Sequence, residues 1–291
     1  MRKEIIQSVQ ADKSDIGLIR ESVAGDRVSL EALINRHQDW IYNITFKMVM
    51  DHDEAADITQ EILIKILTSL ATYDENRGSF RTWVYRITAN HVATMKKSRL
   101  ERRFTDLDEY VSLIESIPDN RDSSHPDSRM ILEDLRIGCM AGMLICLNRI
   151  ERLVFILGGI FRVTDVVGSE VVGVSRGNFR KLLSRARRKV YSHMNGLCGH
   201  VNPNSPCRCS NKMKSFLDSG RIDPGALRYN KPSAMKLRDA LELKLDEFRE
   251  SYYDPFFDIY RNDPFYGPPD ITGWLRNTLE HARFRDIFGI H

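Results

Sequence analysis

From Leu18 to Met50 apolar residues recur at helical spacing, with Leu30, Leu33, Ile34, Ile41 and Ile44 as the inner positions. Asp51-His52-Asp53 interrupts the pattern and offers an N-cap. A second helix is predicted from Glu54 to Leu70, where Ile58, Ile62, Ile66 and Leu70 repeat every four residues as an inner stripe. Asp57, Gln60 and Glu61 lie off that stripe. The polar segment Tyr73–Ser79 (YDENRGS) predicts a loop, and a third helix follows with Phe80, Val84 and Ile87 at i, i+4 and i+7. No stretch alternates with the period of a strand, and no internal repeat is present.

Between Phe104 and Asp134 the texture changes. Nine acidic residues stand against two arginines, with Pro118 and Pro126 among several serines. This predicts an acidic linker, mostly flexible, holding at most one short helix. Helical patterning resumes near Met130 and runs to about Phe161. VTDVVGSEVVGVSRGNFRKLLSRARRKV then predicts two short helices around a turn at Gly173-Val174-Ser175, with Ser175 as N-cap. Past Gly196 a cysteine-bearing loop precedes an amphipathic helix predicted over Lys236–Arg249. Tyr252, Tyr253, Phe256, Phe257, Tyr260, Phe265 and Tyr266 are expected to fold back as core, a docking surface being the alternative. A last helix is predicted from Ile271 to about Phe284. The fold class is therefore all-α.

The 291 residues suffice for two domains, or for one domain with extras. A net charge of +3 says little, because the sign alternates in blocks along the chain. Met1 to Asp15 is polar and has no apolar core, so no secretory leader is expected. The most apolar run, Ile137–Leu147, is too short to span a bilayer as a helix. A cytoplasmic protein without membrane contact is the natural expectation. Five cysteines in a chain of this length do not suggest a disulfide framework, but three of them cluster.

The strongest charge signal is the second helix of the helix-turn-helix unit. Seven basic residues and no acidic one lie between Arg176 and Lys189. Such a helix repels itself unless a polyanion neutralises it, and it fits a major groove. The alternative is a solvated surface helix. The stretch SFRTWVYRITANHVATMKKSRLERR divides its labour differently. Trp83, Arg86 and Asn90 share a face, and Lys96, Lys97, Arg99, Arg102 and Arg103 follow. Aromatic and amide groups beside basic ones suit unpaired bases better than a closed duplex, although a tryptophan more often serves as core.

DHDEAADITQEILIKIL, SFRTWVYRITAN and the basic tail resemble region 2 of the extracytoplasmic-function sigma factors of bacterial RNA polymerase. CLNRIERLVFIL followed by VSRGNFRKLLSRARRKV resembles their region 4. The resemblance implies two helical domains, region 2 over 14–103 and region 4 over 135–195. An acidic linker at 104–134 joins them, and a small C-terminal extension follows at 196–291. It implies that Asp57, Gln60 and Glu61 dock on core polymerase. Tyr73, Trp83, Tyr85, Arg86 and Asn90, with Lys96, Lys97 and Arg99, would take the −10 strand. Arg176, Arg180, Lys181, Ser184, Arg185 and Arg187 would read the −35 duplex. Core RNA polymerase and promoter DNA are the implied partners, with an anti-sigma or accessory recruiting factor beside them. No cofactor for catalysis is implied, and the protein is not an enzyme.

Two features stand apart. Where the family usually has EEIA in the first helix of its −35 reader, this chain has Val166-Val167-Gly168-Ser169. A glycine inside a helix costs about 1 kcal/mol relative to alanine, and Gly158-Gly159 weakens the preceding helix. A weakened −35 reading is the expectation. The second feature is CGHVNPNSPCRC, which puts Cys198, His200, Cys207 and Cys209 close together. A structural zinc site and free cysteines in an ordered loop are both open readings. A cysteine-bearing segment of this kind resembles one that follows region 4 in a subset of the family. A zinc deaminase is disfavoured, because Asn202 stands where the catalytic glutamate would be and the second cysteine pair is one residue short. The remaining rival is a helix-turn-helix regulator that binds duplex DNA without sigma activity.

Overall fold

The computed structural model describes residues 14–104, 106–120, 125–230, 235–236 and 255–280. Each helix of the first unit opens on a side-chain cap. Ser14 begins α1 (Asp15–Val23), Asp26 begins α2 (Arg27–Val49) and Asp51 begins α3 (His52–Ser69). Ser79 begins α4 (Phe80–Thr94) after the polar loop. The inner stripe lands as the periodicity predicts, with Ile62, Ile66 and Leu70 buried and Ile58 partly so. With Leu33, Ile41, Ile44, Val84 and Val92 they fill the space between α2, α3 and α4. Ser98 and Glu101 form a reciprocal capping box on α5 (Arg99–Arg103).

The acidic stretch is less free than its composition suggests. Leu107–Ser116 forms α6, which buries Leu107, Tyr110 and Ile114. The Tyr110 ring lies against the bare Cα of Gly142, and its hydroxyl donates to the Cys139 carbonyl at 3.1 Å. Gly142 and Cys139 belong to α7 (Ser128–Ile145). An amphipathic helix with an adjacent apolar partner docks despite its charge, because the acids occupy the opposite face.

α8 (Arg149–Val154) runs into a π-helical turn at Phe155–Ile160. The predicted helix-turn-helix follows as α9 (Asp165–Val172) and α10 (Arg176–Leu197). Gly173 turns between them at φ 73°, a left-handed conformation that favours glycine. Gly159 and Gly168 prove to be sockets rather than defects. A Cβ on Gly168 would meet the Phe179 ring at 2.4 Å, and one on Gly159 would meet Phe257 at 2.1 Å. The space left by the missing side chain is thus filled by a ring from another element.

Of the C-terminal extension, α11 (Cys209–Asp218) packs on α7. Met235–Lys236 (β1) pairs antiparallel with Pro264–Phe265 (β2), Met235 opposite Phe265. Lys236 was expected to open a helix; 237–249 lie outside the described residues. α12 (Asp258–Arg261) and α13 (Ile271–Glu280) flank β2, and the predicted continuation of α13 to Phe284 also lies outside them. Phe256, Phe257, Tyr260, Phe265 and Tyr266 are buried, as core residues should be; Tyr252 and Tyr253 are not among the described residues.

A continuous apolar core joins the first unit, the helix-turn-helix unit and the extension. A buried polar knot reinforces it. Arg152, 2% exposed, donates from Nε to the Leu144 carbonyl at 2.9 Å. Nη1 reaches the Met48 carbonyl and Glu101 Oε1, and Nη2 reaches the carbonyls of Ile145 and Leu147. All five guanidinium hydrogens are matched. Arg149 adds a two-pronged pair to Glu101, with both contacts at 3.0 Å. Burial alone would raise the Glu101 carboxyl pKa, but the bonds from Arg149 and the Ser98 amide, with the Arg152 charge, hold it below its usual value. A lowered folded-state pKa stabilises above the unfolded value and is lost as pH falls through the folded one. Glu101→Gln should therefore cost about 3–5 kcal/mol at neutral pH, as for one partner removed from a buried pair. In urea titrations the wild type should lose part of that advantage on acidification below the ordinary glutamate range. The variant should show a flatter acid limb.

Candidate nucleic-acid and partner interface

The loop before α4 is shaped by its own polar groups. Asp74 accepts from the Asn76 amide at 3.0 Å, and Tyr73 donates its hydroxyl to the Gly78 carbonyl at 3.0 Å. Gly78 takes φ 141°, which favours glycine. The closed loop forms one wall of a cavity of about 320 Å³, and α4 supplies the other. Tyr73, Trp83, Arg86 and Asn90 all line it. Tyr73 and Trp83 meet at 5.7 Å between ring centres, and Phe80 lies under Trp83 at 5.4 Å. The aromatic floor thus has polar groups at its rim, suited to a planar base that stacks and is read at its edge. Burial and the nearby Glu75 charge push the Tyr73 hydroxyl pKa up, so it remains a donor at neutral pH.

Tyr85 does not join this group. It is 3% exposed and turned into the core, where burial pushes its hydroxyl up to about 12. At i+2 from Trp83 it falls on the opposite side of the helix. Lys96 and Lys97 also go elsewhere. They line a second cavity of about 500 Å³ with Glu54, Asp57, Glu61, Lys65 and His91. Asp57 and Glu61 are exposed there and Gln60 is half-buried beside them, while Arg99 gives its amide to Glu54 at 3.0 Å. His91 was not foreseen. Burial lowers its pKa, the Lys65 charge lowers it further, and Glu61 opposes both. Lys65 can only donate, so Nδ1 of His91, 2.7 Å from Lys65 Nζ, is the acceptor and Nε2 carries the hydrogen. The signal that could have found Lys65 is the four-residue spacing Asp57, Glu61, Lys65 along one face.

On α10, Arg176, Arg180, Lys181, Ser184 and Arg185 are exposed along one helix capped by Ser175, and Arg187 is half-buried. Arg180 pairs with Asp165 at 3.1 Å, and Lys189 with the buried Glu151 at 2.7 Å. Arg187 stacks over Tyr191 and over Phe256 of the extension. Among the described residues Arg176, Lys181 and Arg185 have no ion pair, so their charge faces solvent.

In the cysteine loop Cys198, Cys207 and Cys209 lie near one another and near Cys139 of α7. Cys198 and Cys207 are bridge partners along the backbone, and the exposed His200 has its pKa lowered by partial burial and by the Arg136 charge. Among the described residues no group of three or more Cys, His, Asp or Glu is arranged to hold an ion. The loop is instead tied by the Arg208 guanidinium, which packs on Gly199 and donates to the carbonyls of Pro203, Ser205 and Cys207. Asn202 and Ser205 both donate to the Asn195 carbonyl, at 3.0 and 2.6 Å. Burial pushes the Cys209 thiol up to about 11 and raises Cys207 as well, and the neighbouring Cys198 adds to both. Among the described residues no helix is long and apolar enough to cross a membrane.

With this geometry in place, the comparisons with known proteins sharpen the picture. Residues 33–101 match the Sigma-70 region 2 family model. That span contains every lining residue of the aromatic cavity except Glu170, together with the acidic face of α3 and Glu101. The chain is 25% identical to the ECF RNA polymerase sigma factor SigE of Mycolicibacterium smegmatis, over 58% of this chain and 64% of that protein. It is 33% identical to the ECF RNA polymerase sigma factor SigW of Bacillus subtilis, over 25% of this chain and 38% of that protein. With SigX of the same organism the figures are 44% identity, 20% and 28%. The matched stretch covers less than two thirds of each of these relatives.

A thermal melt of the purified protein with and without EDTA, paired with elemental analysis, separates the two readings: a bound structural zinc lowers the midpoint on chelation, and free cysteines leave it unchanged. Arg208→Ala should lower the midpoint, because three carbonyls lose their donor.

Proposed function

We propose that this chain is an RNA polymerase sigma factor of the extracytoplasmic-function type. It would bind core RNA polymerase, bring it to a promoter and hold a flipped base of the melted −10 strand. The observation that carries the reading is the convergence of Tyr73, Trp83, Arg86 and Asn90 on one ring-floored cavity inside the Sigma-70 region 2 match. Extruding a base costs a few kcal/mol, which stacking and edge hydrogen bonds offset. The similarity to ECF sigma factors of Mycolicibacterium smegmatis and Bacillus subtilis supports the same conclusion. The protein itself would do no covalent chemistry and need no cofactor, since the polymerase makes the RNA. Its place of work would be the cytoplasm.

In this reading Asp57, Gln60 and Glu61 form the polymerase contact. A surface rich in carboxylates suits a basic partner, and the adjoining Lys96 and Lys97 would border it. α10 would read the −35 duplex through Arg176, Lys181, Ser184 and Arg185. The expectation of a weakened reader rested on Gly168 as a packing fault, and Phe179 fills that space. Weakening would instead come from Arg180 and Arg187, whose charges are engaged by Asp165 and by aromatic rings. An accessory or restraining factor would then act on a chain whose reader is only partly free.

Pull-down of core polymerase by the tagged full chain tests the reading directly. Binding is expected, and Asp57→Arg should weaken it at least severalfold. Failure of the wild type to bind would leave a duplex-binding regulator instead. Asn90→Ala should reduce open-complex formation, read by permanganate footprinting, more than it reduces polymerase binding. Lys181→Ala with Arg185→Ala should lower duplex affinity and reduce its salt slope by about 2, near one per lost phosphate contact.

A further inference from the structure

The aromatic cavity is not lined by the first unit alone. Glu170, from α9 of the helix-turn-helix unit, stands among its lining residues. Its carboxylate is 4.0 Å from Arg86 Nη1, and Oε1 lies over Gly78, 3.7 Å from where a Cβ would be. α9 packs along α4, the helix that bears Trp83, Arg86 and Asn90. An acidic group therefore sits at the mouth of a site whose other features suit a polyanion strand. It engages the guanidinium that the strand would use.

The C-terminal extension holds α9 in this position through the π-helical turn that precedes it. Arg261 donates to the carbonyls of Gly159 at 2.6 Å and Ile160 at 3.3 Å, and Phe257 fills the socket at Gly159. The same segment grips the first unit. Asp263 pairs with the buried Lys47 at 3.0 Å, and the Asn43 side chain makes a reciprocal pair of bonds with the Tyr266 backbone at 2.8 and 3.0 Å. Asp263 also meets Arg136 of α7 at 3.3 Å. One short segment thus spans α2, α7 and the approach to α9. By contrast, the Arg86–Glu170 pair is about half exposed on both sides, so it is weak and screened by salt. The clamp is buried while the stopper is solvated, which is the arrangement of a seat that can be vacated.

We propose that Glu170 is an intramolecular occupant of the base-binding cavity, held there by the extension, and that single-stranded DNA must displace it. This rests on the function proposed above, and it adds that the chain restrains its own strand binding. The carboxylate opposes the strand in two ways: it neutralises Arg86, and it repels the phosphates.

The test uses the full chain, core RNA polymerase and a short fluorescein-labelled single-stranded DNA of mixed sequence. Glu170→Gln keeps the shape and removes the charge. Fluorescence anisotropy should show about two- to fivefold tighter strand binding by this variant, the scale of an exposed pair, with the gain shrinking at high salt. Arg261→Gln, confirmed as folded by its cooperative melt, should give a gain of the same sign although it lies outside the cavity. Duplex binding through α10 should be unchanged by Glu170→Gln. Equal strand affinity of wild type and Glu170→Gln, in a protein that still pulls down core polymerase, overturns the occupant and leaves the sigma reading intact. Loss of both polymerase and strand binding in the wild type overturns the two together.

Discussion

The structure depends on a single buried guanidinium. Arg152 sits where the C-terminal ends of α2 and α7 come together, and helix ends leave carbonyls without partners. Met48, Leu144, Ile145 and Leu147 present four such oxygens, and Glu101 completes the set. A guanidinium is the side chain with five donors in one rigid plane, so it can satisfy all of them at once. Taking that charge out of water is costly, and the cost is offset only while every partner is in place. The site is therefore intolerant of partial assembly. It fixes the end of the Sigma-70 region 2 stretch against α7 and α8, and so sets where the helix-turn-helix unit begins relative to the aromatic cavity.

The second organising device is the glycine socket. Gly142 receives Tyr110, Gly159 receives Phe257 and Gly168 receives Phe179. In each case a helix gives up a side chain and another element supplies a ring, which restores interior packing. Helix propensity alone counts these glycines as losses of about 1 kcal/mol each. In the folded chain they are the points at which the acidic stretch, the extension and α10 are keyed into their neighbours. A side chain of any size at Gly159 would displace Phe257 and, with it, the segment that carries Arg261 and Asp263.

These two devices explain why the functional faces are arranged as they are. The cavity around Trp83 and the acidic face around Asp57 both draw on α4, yet they use different residues of it. Arg86 and Asn90 face the loop, whereas His91 and Thr94 face α3. One helix therefore carries an aromatic and amide face toward the loop and a titratable face toward α3. The basic side of α10 remains open, but its Arg187 is covered by Phe256. The extension thus touches α10 as well as the π-helical turn.

Much of this was legible in the amino-acid order. Helix starts were marked by Asp51 and Ser175, because a cap is a local interaction between a side chain and nearby amides. The buried stripe of α3 and the shared face of Trp83, Arg86 and Asn90 followed from helical periodicity, which needs no knowledge of the partner. The burial of Tyr85, the docking of α6 and the position of Lys96 and Lys97 did not follow, since each depends on which neighbour covers a given face. Glu170 is the sharpest case. Nothing near it in sequence distinguishes it from any solvated glutamate, and only the packing of α9 on α4 brings it to Arg86. The sequence by itself determined the helices, their caps and the chemistry displayed on each, because these are set within a few residues. The tertiary structure decided which surfaces meet, because burial of Arg152 and Phe257 requires partners far away along the chain.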